Sequence, residues 1–96
     1  MGNEPTKEAT MDEVLVGEVT HYFQAISVAA IQVTEAELRA GDSIRIVGHT
    51  SNFTQTVRSM QMDHRPVESA GLGDLVGIEL VERARVGDLV FRTLPH

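Results

Sequence analysis

Three times in this chain a small or apolar residue is followed by Gly-Asp and then by an apolar run: Ala40-Gly41-Asp42-Ser43-Ile44, Leu72-Gly73-Asp74-Leu75-Val76 and Val86-Gly87-Asp88-Leu89-Val90. Glycine reaches the positive φ that a tight turn needs, aspartate bonds back to nearby backbone N–H groups, and the Val, Ile and Leu that follow suit a pleated surface. Turns of this kind feed short strands, and their spacing predicts an all-β chain punctuated like a small closed barrel. No catalytic centre is written beside them.

The chain has 96 residues, enough for one domain and one core. It has no cysteine, so neither a disulfide framework nor a thiolate zinc site holds it together. With 42% hydrophobic residues but no Trp, one Tyr and three Phe, the core must be built from Val, Ile, Leu, Ala and Met. Fourteen acidic against eight basic residues give a formal charge of −6, which argues against gripping a nucleic-acid backbone by bulk electrostatics. No apolar run approaches a membrane span and no apolar segment near the N-terminus resembles a secretory signal, so a cytoplasmic protein without a membrane partner is expected.

Residues 1–13 are polar, acidic and without period, and read as a disordered tail ahead of a single domain over 14–96. Val14 to Phe23 reads as a strand with Val19, His21 and Phe23 on one face and Glu18, Thr20 and Tyr22 on the other. Residues 25–33 form a second strand with a bulge near Ala29-Ala30. Thr34 to Arg39 and Val67 to Ala70 read as single helical turns. Strands are further expected over Ser43–Val47, Phe53–His64 with a break near Arg58-Ser59, Leu75–Val81 and Leu89–Thr93. Six or seven strands in so short a chain predict closure into a Greek-key-like β-barrel, which leaves no exposed edge.

Gly17-Glu18-Val19-Thr20, Gly41-Asp42-Ser43-Ile44-Arg45-Ile46-Val47-Gly48, Thr56-Val57-Arg58-Ser59-Met60, Ala70 to Ile78 and Val86 to Val90 resemble, in order, the second domain of translational GTPases such as elongation factor Tu. The whole chain is similar to the small translation elongation factor-like proteins in which that barrel stands alone. The resemblance implies a barrel of the translation-protein type and contact with the aminoacyl end of tRNA or with ribosomal RNA. It does not imply GTP hydrolysis. The chain has no glycine-rich phosphate loop, and its one lysine, Lys7, lies in the tail, so neither a nucleotide nor any other cofactor is expected.

Recognition in a small barrel falls to loops and rims. The segment Gly48 to Gln55 is the richest in adaptable donors, with His49, Thr50, Asn52, Phe53 and Gln55 as candidates. Arg45 and Arg58 should approach each other across the hairpin that this loop closes and offer a phosphate or an acidic partner a basic face. The plainer alternatives are hydroxyls and amides that satisfy the hairpin itself, and arginines interleaved with Glu18, Glu79 and Glu82. His21, His49 and His64 fall near strand ends and would bind a metal only if they gathered at one rim, and no close His pair anchors such a site. A triad of Ser59, His64 and Asp74 lacks a nucleophile elbow. The expected protein is therefore non-catalytic: either an RNA- or ribosome-contacting module, or a protein-interaction module docking a larger enzyme through exposed apolar residues such as Tyr22 or Phe53.

Overall fold

The computed structural model describes residues 13–94. Ten strands follow in chain order: β1 (Glu13–Phe23), β2 (Val28–Val33), β3 (Leu38–Arg39), β4 (Ser43–Val47), β5 (Asn52–Thr56), β6 (Met60–Met62), β7 (Arg65–Pro66), β8 (Ser69–Ala70), β9 (Leu75–Glu79) and β10 (Leu89–Thr93). Eight join in one antiparallel sheet, ordered β5-β4-β10-β1-β2-β9-β6-β7, and β3 pairs with β8 separately. The all-β class is as expected. The main sheet nevertheless has two ends, β5 and β7, with no ladder between them among the described residues, where a closed six- to seven-stranded barrel was expected.

Strict alternation decides which face is covered. In β2 and β4, Ala29, Ile31, Val33, Ile44 and Ile46 are fully buried while their neighbours face outward. These side chains, with Val16, Val19, Val76, Ile78 and Val90 among others, make one continuous core of aliphatic residues.

The three Gly-Asp sequences build the same unit three times. Gly41, Gly73 and Gly87 have φ of 95°, 91° and 94°, the third position of a type II turn, where a Cβ is disfavoured. In each turn the aspartate Oδ2 accepts the N–H three residues back: Arg39 to Asp42 at 2.9 Å, Gly71 to Asp74 at 2.8 Å and Arg85 to Asp88 at 2.9 Å. Each turn also clasps one buried valine by both of its backbone groups. The glycine N–H donates to the carbonyl, and the aspartate carbonyl accepts the N–H, of Val57, Val33 and Val19 respectively, at 2.8–2.9 Å.

Several local readings are corrected. The bulge expected at Ala29-Ala30 lies across the ladder in β1, where the register with β2 shifts between Val19 and His21. The extra residue reverses the inside and outside of β1, so Tyr22 packs on the core and Phe23 turns out to solvent, half exposed. The two expected helical turns instead supply β3 and β8, pairing Leu38 with Ala70 and Arg39 with Ser69. The long strand over Phe53–His64 breaks into β5 and β6 where expected, but it ends in a hairpin at Asp63-His64, with φ of 53° and 64°. Glu13, assigned to the tail, opens β1; residues 1–12 lie outside the described residues.

Candidate functional site

The hairpin of β4 and β5 pairs Ser43 with Thr56 and Val47 with Asn52, which shortens the expected recognition loop to Gly48–Ser51. The Gly48 N–H donates to the Ser51 carbonyl at 2.8 Å and closes it. His49 and Thr50 are exposed there, and Thr50 Oγ1 accepts a hydrogen bond from Arg85 Nε at 2.8 Å. Asn52 starts β5, exposed. Phe53 is only 7% exposed and belongs to the core, so it is no surface anchor. Gln55 acts on the fold itself: its Nε2 donates to the Glu79 carbonyl at 2.9 Å, and its Oε1 accepts the Val81 N–H at 2.7 Å. One side chain thus imitates a strand partner for the segment leaving β9.

The arginines do not form the expected basic face. Arg45 grips Glu13 with both Nε and Nη2 at 2.7 Å, and its guanidinium carbon lies 5.6 Å from the centre of the Phe91 ring. The fork-to-carboxylate hydrogen bonds hold the Glu13 carboxyl below the usual carboxylate range and push Arg45 above its usual value. Arg58 sits elsewhere, lining a surface hollow with Gln55, Glu79 and Val81. Arg45 is therefore spoken for before any phosphate could reach it.

The histidines also remain apart. His21 packs against Phe23 with ring centres 4.3 Å apart, His49 rides the β4–β5 hairpin, and His64 occupies the β6–β7 turn. Among the described residues no group of three or more His, Cys, Asp or Glu side chains could hold a metal ion, and His96 lies outside them. Asp74, the third member of the paper triad, is engaged in its own turn.

What the sequence reading missed is an apolar hollow of about 380 Å³ on the outer face of β1, β2, β9 and β6. Its origin is local. The ladder sets Ala30 of β2 directly opposite Gly77 of β9, so the two smallest side chains on that face form a sunken floor. Around it stand Phe23, Ile26 and Leu75, which are 46%, 62% and 53% exposed, large apolar groups left in water. Gln61, Asp63 and His64 supply the polar rim. Both turn residues of that rim carry left-handed φ, the geometry of a tight two-residue hairpin between the paired Met62 and Arg65.

Comparison with known proteins gives this surface its context. No family model matches the chain. The chain is 36% identical over 80 residues to an uncharacterised protease of Methanocaldococcus jannaschii, a match covering 82% of this chain and 19% of that protein. It is 32% identical over 85 residues to a collagenase of Porphyromonas gingivalis, covering 88% and 20% respectively. It thus spans about a fifth of the length of the curated relatives it matches. Among solved structures, the C-terminal domain of a Geobacillus thermoleovorans U32 peptidase superposes with a TM-score of 0.75 at 19% identity, over 80% of this chain and 96% of that domain. These similarities overturn the translational reading: the relatives are proteases, and the resemblance to elongation factor domains lay in turn chemistry that many β-domains need.

Proposed function

We propose that this chain is a non-catalytic accessory module of the U32 peptidase C-terminal type, which docks against a larger protease chain. The observation that supports it is the coverage: more than four-fifths of this chain corresponds to about a fifth of the protease sequences it matches. The remaining four-fifths of such a protein is where proteolysis would reside, and the module's part is to bind it. The pairing of Arg45 with Glu13 supports a protein partner over an RNA phosphate at that arginine.

The eight-stranded sheet, in this proposal, works as a platform for the partner chain. Gln55 serves as its clasp, tying β5 to the chain that leaves β9 by one donated and one accepted hydrogen bond. The experiment is sedimentation velocity of the chain mixed with a U32-type peptidase from which the matching C-terminal region has been removed. A stoichiometric complex that survives RNase treatment is expected. Absence of any complex at micromolar concentrations would refute the accessory role.

A further inference from the structure

We infer that the apolar hollow over Ala30 and Gly77 is the surface that receives the protease chain, and that it takes an apolar side chain presented on an exposed loop of that chain. This inference rests on the accessory role and assigns it to one place in the fold.

Three observations select the hollow. It gathers Phe23, Ile26 and Leu75, three of the seven large hydrophobic side chains that the described residues leave exposed, around a floor that the register empties of side chains. A soluble protein keeps such a cluster in water at a cost, and clusters of this kind mark places where another chain settles. The shape is also fixed before any partner arrives, because the floor is strand backbone laddered on both sides and the rim turn is held in left-handed geometry. The occupant is argued from the relatives: there the matching region makes up about a fifth of one longer polypeptide, so the other four-fifths is tethered to it as the protein surface it can meet first. The rim adds a polar margin in which Gln61 and His64 can meet the backbone that flanks the inserted side chain.

The test uses the same truncated peptidase and reads the dissociation constant by titration calorimetry. Ile26→Glu and Leu75→Glu place charge on exposed walls and should leave the melting temperature within a few degrees of wild type. Each should weaken binding about tenfold or more, the usual consequence of losing a central apolar contact. Gly77→Val fills the floor and should weaken it likewise. Val86→Glu changes an equally exposed apolar residue that lines no part of the hollow and should bind as wild type does. If wild type binds and the wall variants bind equally well, the hollow is not the interface and only this inference falls. If Val86→Glu loses binding while the wall variants keep it, the interface lies beside the 85–88 turn. If wild type does not bind, the accessory role falls with it.

Discussion

Replacing Gly17 by alanine should unfold much of this domain at temperatures where the wild type is intact. Gly17 sits where the register of β1 against β10 shifts, between Leu15 and Gly17, and it pairs with Val33 of β2 and Val90 of β10. A Cβ there would lie 1.9 Å from the Gln32 carbonyl oxygen, 2.9 Å from its carbon and 3.1 Å from the Val33 Cα. All three are backbone atoms in a ladder, so no rotamer change relieves the contact. A carbon needs about 3.3 Å from a carbonyl oxygen, so the strands must part by roughly 1.4 Å, which takes a hydrogen bond from about 2.9 Å to a length at which it no longer counts as one. Two ladder bonds at about 1 kcal/mol each, together with loosened packing of the adjoining valines, make a loss of about 3–5 kcal/mol. At about 4–8 °C per kcal/mol for a domain of this size, the melting temperature should fall by about 12–40 °C. Circular dichroism melts read this directly, with Gly77→Ala as the control. The control Cβ meets Val28 Cγ1 at 3.4 Å and the Gln61 carbonyl oxygen at 3.9 Å, both ordinary contacts, and should change stability by less than about 1 kcal/mol. A Gly17→Ala protein that melts within about 4 °C of wild type would refute the close approach of β1 to β2.

Removing the turn carboxylates one at a time should rank them by burial. Asp88→Ala, at a side chain only 4% exposed, should cost about 1–3 kcal/mol, more than Asp42→Ala or Asp74→Ala, and urea midpoints check the order. Glu13 is held below its ordinary pKa, so its pair with Arg45 adds stability above the carboxylate range and loses it as the pH falls through the lowered value. Since Arg45 is about one-third exposed, screening limits Glu13→Gln to about 0.5–1 kcal/mol at neutral pH, and the variant and wild-type denaturation curves should converge in acid. Gln55→Ala removes both the donor to the Glu79 carbonyl and the acceptor of the Val81 N–H, so hydrogen exchange at Val81 should quicken about tenfold while the core amides change little.

The turns were legible because their chemistry is local: a left-handed glycine and an aspartate that reaches back three residues are both written in four consecutive letters. The alternation of Ser43–Val47 and of Leu89–Thr93 was legible for the same reason. The outward turn of Phe23 was not, since it depends on one extra residue in β1 that is visible only when the partner strand is in place. Nor was the Asp63-His64 hairpin read, because a two-residue turn with both φ positive is usually announced by a glycine, which is missing here. Phe53 looked like a loop aromatic until the pairing of Ile46 with Phe53 placed it on the inward face. The hollow stayed hidden because Ala30 and Gly77 are distant in sequence and meaningful only as a cross-strand pair. The family resemblance misled for a related reason: a run of Gly-Asp turns reports how a small sheet is stitched, and many unrelated activities share that stitching.

The three turn-and-valine units bear on how the chain finds its fold. Each turn looks like an early local event, yet its backbone groups are completed only by a valine elsewhere: Val57 for the first, Val33 for the second and Val19 for the third, the last reaching almost from one end of the domain to the other. No unit can mature before distant strands have met. Folding should accordingly be paced by the search for long-range contacts, slow for the chain's size and highly cooperative, with the three valine amides acquiring protection together and late.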